Sequence, residues 1–428
     1  MLQNNKHLHL VSLQSLINWS VAHLISRDLG FTKKFPFIRI GDIISRSTIL
    51  ITVEDEILYK QVTVKTNGGG AVLRDEKNGK KKGKDIGIKK QYIAREGQFI
   101  MSKIDARNGA FGIISKELEG AIVTGDFPLF DVNAQKVDPF YLYLLSTTKP
   151  FVKYAQSCSR GTTNRQRIDI DMFLSQEIPL PSLAEQKNIV DAYNYAISQA
   201  ENYTQEADRI EKDILTYLNT ILGINTREKE QHGYGTLFFK NLSQVSRWDV
   251  WNTPVSKFSN KYPLKSLEQI IIMQSGKFLP TKYQEKGIYN VYGGNGLTGT
   301  HSAYCFSGKR IVIGRVGEYC GNVHLIEGNY WITDNALKVD KITQDVTWEY
   351  LEIALKALNI NQYKSISAQP SISQTKILQL QIPLPPLDIQ NEIVEHIAAL
   401  RTEQKELRQK ALLLRQQATQ QFEQTIFN

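Results

Sequence analysis

Residues Ile178-Pro179-Leu180-Pro181-Ser182-Leu183-Ala184-Glu185-Gln186 are written a second time, near the C-terminus, as Ile382-Pro383-Leu384-Pro385-Pro386-Leu387-Asp388-Ile389-Gln390. The copies lie 204 positions apart, and the agreement continues through Ile189-Val190-Asp191 against Ile393-Val394-Glu395. Proline fixes φ, lacks an N–H and pushes the residue before it to an extended backbone. Each Pro-Leu-Pro is therefore an extended lead-in, and helix starts only after the last proline. Beyond it, apolar residues recur at alternating steps of four and three. The first stripe reads Ile189, Tyr193, Ala196, Ala200, Tyr203, Ala207, Ile210, Ile214, Tyr217, Ile221. The second reads Ile393, Ile397, Leu400, Gln404, Leu407, Ala411, Leu414, Ala418. Such alternation, held over about four heptads, predicts a coiled coil. The competing reading, two helices that each cover their own domain, fits less well because the remaining helix surface is polar.

Outward from these stretches, the whole chain repeats. Leu8, Leu10, Leu13, Leu16 and Trp19 match Leu237, Phe239, Leu242, Val245 and Trp248 at an offset of 229, and Pro36 matches Pro263 at 227. Phe99-Ile100-Met101-Ser102-Lys103-Ile104 matches Ile311-Val312-Ile313-Gly314-Arg315-Val316 at 212, each with the composition of a buried strand ending in a basic residue. Ala121-Ile122-Val123-Thr124 matches Tyr330-Trp331-Ile332-Thr333 at 209, as Tyr141-Leu142 matches Tyr350-Leu351, each opening a short amphipathic helix. Repetition on this scale predicts two copies of one domain-plus-helix unit. The boundaries are residues 1–182 for the first domain, 183–223 for a central helix, 224–386 for the second domain and 387–428 for a C-terminal helix.

The falling offset shows where the copies differ. About half of the loss lies between Pro36 and Lys103, around Gly68-Gly69-Gly70 and Lys77-Asn78-Gly79-Lys80-Lys81-Lys82-Gly83-Lys84. More falls at Arg160-Gly161-Thr162-Thr163-Asn164-Arg165-Gln166-Arg167, whose counterpart is Ser367-Ala368-Gln369-Pro370-Ser371-Ile372-Ser373. A common frame with unlike loops suits two related readers of different ligands, although loops also diverge for lack of constraint.

Composition sets wider limits. The chain has 428 residues, an ordinary 41% hydrophobic fraction and a net charge of +9, which hints at nucleic acid. Cys158, Cys305 and Cys320 lie in no C-x-x-C pair, suggesting neither zinc nor a disulfide frame and a reduced, cytoplasmic compartment. No signal-type N-terminus and no apolar run near membrane-spanning length is present, so no membrane partner is expected.

The doubled I-P-L-P-x-L-x-x-Q segments with their helices, and the entries Trp19-Ser20-Val21 and Arg247-Trp248-Asp249-Val250, resemble the specificity (S) subunits of Type I restriction–modification systems. The resemblance spans essentially the whole chain. It implies that each variable domain is a target-recognition domain reading one half of a split site in double-stranded DNA. It implies further that the paired helices separate the domains and bind two methyltransferase subunits, a core to which two nuclease/translocase subunits can add. The second copy departs from the family's usual A-E-Q by reading Asp388-Ile389-Gln390, which puts one methyltransferase contact in doubt.

Residue chemistry supports DNA reading independently. Arg and Lys pair with guanine, Asn and Gln with adenine. Arg160, Asn164, Arg165, Gln166 and Arg167 crowd these types into one loop, opposite Ser371 in the other copy. Lys80, Lys81, Lys82 and Lys84, on a glycine-rich loop, suit phosphates better than bases. Lys103, Arg107, Lys309, Arg310 and Arg315 sit at strand ends beside glycines, as a backbone-contacting rim or as ordinary surface pairs. No catalytic set emerges. The only Pro-Pro pair lies in a helix lead-in, Gly294-Asn295-Gly296 stands alone, no G-x-x-x-x-G-K-[ST] loop is present, and the seven histidines form no H-x-x-x-H pair. Asp126 and Asp334 read as turn or capping residues. The expectation is a non-enzyme without cofactor or metal: two α+β target-recognition domains joined by two long antiparallel coiled-coil helices with pseudo-twofold symmetry. A scaffold whose repeated domains bind proteins, with the coiled coil for oligomerisation, remains open at this point.

Overall fold

A computed structural model describes residues 29–74, 80–160, 166–223, 261–279, 286–365 and 369–428, with the backbone alone described at Lys80 and Arg160. The expected matches Leu8–Trp19 and Leu237–Trp248, the Lys77–Gly79 run, and Asn164 and Arg165 lie outside these residues. The chain forms two compact units, Met1–Glu201 with Ala411–Asn428, and Asn202–Lys410.

In the first unit the strands are β1 (Phe37–Arg39), β2 (Ile44–Arg46), β3 (Leu50–Thr52), β4 (Leu58–Lys60), β5 (Val62–Val64), β6 (Ala71–Leu73), β7 (Lys80–Lys82), β8 (Lys90–Ile93), β9 (Phe99–Met101), β10 (Phe111–Ile113), β11 (Ile122–Val123), β12 (Leu129–Val132), β13 (Ser159–Arg160), β14 (Arg167–Ile168) and β15 (Glu177–Pro179). Helices α1 (Pro139–Thr147), α2 (Lys149–Ser157) and α3 (Ile170–Leu174) pack beside them, before α4 (Leu183–Leu222). The central sheet runs β10-β9-β12-β2, and a second runs β11-β8-β3. Phe99, Phe111 and Phe173 stack with ring centroids 5.9–6.4 Å apart and anchor the core.

The second unit contains β16 (Leu264–Ser266), α5 (Leu267–Ile270), β17 (Ile271–Ser275), β18 (Tyr289–Gly293), β19 (Gly296–His301), β20 (Phe306–Ser307), β21 (Arg310–Gly314), β22 (Val323–Ile326), β23 (Asn329–Ile332), β24 (Ala336–Ile342), α6 (Trp348–Leu358), α7 (Gln374–Leu378), β25 (Gln381–Pro383) and α8 (Leu387–Phe427). Its central sheet, β22-β21-β24-β17, repeats β10-β9-β12-β2 strand for strand. Hairpin β18–β19 corresponds to β5–β6. β18 runs parallel to β23, and Gln61 makes a parallel bridge to Ile122 of β11. The first unit adds β3 on the edge of β8 and the antiparallel pair β4–β7. These additions fill the interval in which the repeat offset falls most. They also place Lys80–Lys82 on a strand, where the sequence reading expected a loop, because Gly83 turns the chain against Glu54. A Cβ at Gly83 would overlap the Glu54 carbonyl oxygen.

The prolines behave alike in both units. Ile178 pairs with Ile38 and Ile382 with Lys265, in two-stranded sheets β1–β15 and β16–β25. Tyr141 Oη donates to the Pro179 carbonyl oxygen at 2.9 Å, and Tyr350 Oη to that of Pro383 at 2.7 Å. Burial holds both phenols far above their usual titration range. The glutamine ending each motif is fully buried. Gln186 accepts from the Asp138 N–H at 2.8 Å and donates to the carbonyl oxygens of Pro181 (2.8 Å) and Lys136 (3.1 Å). Gln390 accepts from Thr347 N–H at 3.0 Å and donates to Asp345 (2.8 Å) and Pro385 (2.9 Å). Asp138 and Thr347 are the N-caps of α1 and α6, so one amide ties the start of α4 to the start of α1, and one the start of α8 to the start of α6.

Every apolar residue on the two predicted stripes is buried or half-buried. Within the second unit Tyr217 lies 4.3 Å from the His396 ring and Gln404 donates to the Ala207 carbonyl oxygen at 3.0 Å, so α4 and α8 run antiparallel there. Within the first unit Val190, Phe422 and Ile426 share one core, and Tyr193 bonds Thr419, again antiparallel. The A-E-Q departure has a local meaning: Glu185 and Ser182 form a reciprocal cap on α4, with Ser182 N–H to Glu185 Oε2 at 2.9 Å.

Replacing Gln186 by Ala should cost about 2–3 kcal/mol, because it strands buried donors and acceptors. Hydrogen exchange is expected to speed up at the Asp138 amide in Gln186→Ala and at the Thr347 amide in Gln390→Ala, each without the other. Unchanged exchange in both would show that these amides do not hold the junctions.

Candidate nucleic-acid interface

Equivalent chain crossings build the same place in each unit. β9 is buried throughout and leads into Ser102-Lys103. There the Lys103 N–H donates to the Asp126 carbonyl oxygen at 2.8 Å, and its own carbonyl accepts from Ile168 N–H at 2.9 Å. In the second unit Arg315 N–H donates to the Asn335 carbonyl oxygen at 3.0 Å and its carbonyl accepts from Ile372 N–H at 2.9 Å. The backbone thus equates Lys103 with Arg315, Asp126 with Asn335, and Arg167 with Ser371.

The side chains at these positions differ in kind. In the first unit Arg167 is held by both oxygens of Asp126, Nε to Oδ1 at 3.0 Å and Nη2 to Oδ2 at 3.2 Å. That bond keeps the Asp126 carboxyl below its usual range and raises the guanidinium's. Lys103 titrates below an ordinary lysine because it is partly desolvated and faces the cations Arg46 and Arg167. Arg107 Nη1 reaches Gln166 Oε1 at 3.4 Å, so Lys103, Arg107, Gln166 and Arg167 belong to one surface.

The second unit presents amides. Arg315 Nη1 donates to Ser275 Oγ at 3.1 Å. Beside it lies an open cleft of about 290 Å³ lined by Gly294, Asn295, Val316, Gly317, Glu318, Tyr319, Asn335 and Gln369. Asn295 reaches it from the two-residue turn of β18–β19. A Cβ at Gly314 would overlap the Gly294 carbonyl oxygen, so the hairpin tip approaches the end of β21 only because that residue is glycine. Ser371 is exposed, with its Oγ 3.3 Å from Ser365 Oγ, and a bridge joins it to Val316.

Not every expected residue gathers here. Lys309 and Arg310 lie at the opposite end of β21 from Arg315, about 16 Å away along a five-residue strand. Lys309 is paired with Glu349, and Arg310 with Asp340 at 3.2 Å. Lys81, Lys82 and Lys84 are exposed on and after β7, with Lys82 3.8 Å from Glu56. Arg160 is placed on β13, paired with Arg167. The sequence reading missed Arg46, Asn295, Asn335 and Gln369, and took Asp126 for a turn residue. The signal was present, since the same offsets that align the strands set Asp126 against Asn335 and Arg167 against Ser371. Among the described residues no group of three His, Cys, Asp or Glu is placed to hold a metal ion, and no helix is long and apolar enough to cross a membrane.

Comparison with known proteins places this architecture. The Type I restriction modification DNA specificity domain matches residues 25–212 and 259–413, one stretch in each repeat. Over 131 residues the chain is 31% identical to the Type I restriction enzyme EcoprrI specificity subunit of Escherichia coli, covering 29% of this chain and 32% of that protein. The matched stretch is thus about a third of that relative's length. A chain from a solved structure described as the basis of complex assembly and conformational transition in the type I R-M system aligns over 92% of this chain and 97% of its own, with TM-score 0.55 and 14% identity, a likeness of fold. The Type-I restriction-modification system S subunit from M. genitalium aligns over 91% and 97%, with TM-score 0.49 and 14% identity. With family matches in both repeats and the fold shared along the chain, the protein belongs to the family of Type I restriction modification DNA specificity domains.

Proposed function

We propose that this chain is the sequence-specific DNA-recognition subunit of a Type I restriction–modification complex. Residues 1–182 and 224–386 act as target-recognition domains, each reading one half of an asymmetric bipartite site. Helices 183–223 and 387–428 set the spacing of the halves and dock two methyltransferase subunits, to which two nuclease/translocase subunits can add. The observation that carries the reading is one backbone crossing built twice with unlike side chains: Lys103, Asp126 and Arg167 in one unit, Arg315, Asn335 and Ser371 in the other. A shared frame fixes where each domain meets the duplex, and different polar edges give different base preferences. Membership of a DNA specificity family favours this over a protein-binding scaffold. The chain directs chemistry rather than performing it.

The residues divide by role. Arg160, Asn164, Arg165, Gln166, Arg167 and Ser371 read bases, and Lys103, Arg107 and Arg315 contact the DNA backbone. Lys80, Lys81, Lys82 and Lys84 serve phosphates, since flexible ammonium groups act as point charges, and those of Lys81, Lys82 and Lys84 are exposed. Lys309 and Arg310 stand at the far strand end, where carboxylates already engage them, and their proposed place is the backbone-contacting margin.

Methylome sequencing of a host with and without this gene, together with its methyltransferase partner, should reveal adenine methylation at one split motif with unlike halves. The purified chain alone should transfer no radiolabelled methyl group to DNA. A palindromic motif, or methyl transfer by the isolated chain, contradicts the assignment. Lys81→Ala and Lys82→Ala should weaken binding evenly across sequences, each flattening the log–log salt slope by about 0.9 if its phosphate contact is lost. A change in base preference would instead place these lysines at base edges.

A further inference from the structure

We infer that Arg167, held side-on by Asp126, reads a guanine in the half-site of the first domain, with Asp126 as its positioning residue. This rests on the function proposed above and names the base class recognised at one place within it. A guanidinium carries five N–H donors in a rigid plane. Asp126 takes one edge of that plane, bonding Nε at 3.0 Å and Nη2 at 3.2 Å. The end of the fork remains, with one outward N–H on each of Nη1 and Nη2. Those two bonds are parallel and match the adjacent N7 and O6 acceptors that guanine shows in the major groove.

Phosphate presents paired acceptors too, and charge separates the two cases. The Asp126 carboxylate cancels most of the Arg167 charge locally, and it would repel a phosphate brought beside it. Attraction to phosphate depends on uncompensated cations. A neutralised but oriented donor pair is better suited to a base edge, where geometry rather than net charge discriminates. The head is also fixed before any ligand arrives. Arg167 sits in the β13–β14 pair, next to Ile168, which is 4% exposed and bonded through its N–H to the Lys103 carbonyl oxygen. Both partners of the ion pair stay accessible, with side chains 53% and 41% exposed. The second unit has Asn335 and Ser371 at these positions and so serves as an internal control.

The test uses the full chain assembled with its methyltransferase partner, read by methylome sequencing and by competition binding to duplexes substituted at each site position. Arg167→Gln should lose preference for guanine at one position of one half by roughly tenfold to a hundredfold, with the other half unchanged. Arg167→Lys keeps the charge and can still reach guanine but lacks the fork, and it should keep only part of the preference. Asp126→Asn should relax that position by a smaller factor, leave the other half intact and strengthen non-specific binding by freeing the Arg167 charge, a pattern that general loss of structure cannot produce. The inference is overturned if Arg167→Gln weakens all sequences evenly and Arg167→Lys restores binding, since Arg167 is then a phosphate anchor. It is equally overturned if the altered position is not guanine. Should the wild-type assembly select no split site at all, the proposed function fails, and this inference with it.

Discussion

A buried carboxamide, used twice, fixes where each long helix begins. Gln186 and Gln390 each bond a carbonyl in the proline lead-in and both a donor and an acceptor at the start of α1 or α6. The prolines contribute by being unable to continue helix backward, so the turn into α4 or α8 occurs at one residue. The lead-in itself is a strand, paired to the segment after Pro36 or Pro263. Strand, tyrosine and glutamine together clamp three parts of the chain at one point. The polar seam of the helices then needs to bury only its narrow apolar stripe, since its origin is set by the domain it leaves.

Beyond that fixed junction the two domains are alike in frame and differ in detail. The central four-stranded sheet is the same in both units, down to the crossing at the end of β9 and β21. The units differ in the added strands β3, β4 and β7 and in what the crossing displays. In one unit it displays a guanidinium–carboxylate pair among further cations, and in the other an arginine beside neutral amides around an open cleft. Electrostatics therefore differ sharply between two sites that share one backbone.

Much of this was legible in the sequence. The proline copies predicted extended lead-ins, the 4-3 alternation located the helix seam, and Phe99–Met101 and Ile311–Ile313 were recognisable as buried strands. The offsets even located the insertion that became β3, β4 and β7. What eluded sequence reading was side-chain partnership. Nothing local marks Asp126 as the partner of Arg167, 41 residues away. Nor does composition say that Lys309 and Arg310 face carboxylates at the wrong end of β21 for Arg315. The glutamines were counted as motif letters, and nothing in the motif shows that Gln186 is a buried clamp or that Glu185 caps α4. Lys80–Lys82 read as a loop because their composition is polar, whereas pairing with β4 makes them a strand.

If the clamps transmit helix length to the recognition domains, then that length sets the unread spacing between half-sites. α4 and α8 contain 40 and 41 residues, about 60 Å each at 1.5 Å per residue, ample for half-sites one DNA turn apart at about 34–36 Å. The direct measurement is the methylome of a host whose subunit carries four extra residues within Glu201–Glu211 of α4. The insertion adds ~6 Å, close to two base-pair steps of ~3.4 Å, and keeps nearly a whole helical turn. The account predicts unchanged half-sites separated by one or two more base pairs. An active complex that still methylates the original spacing would contradict it.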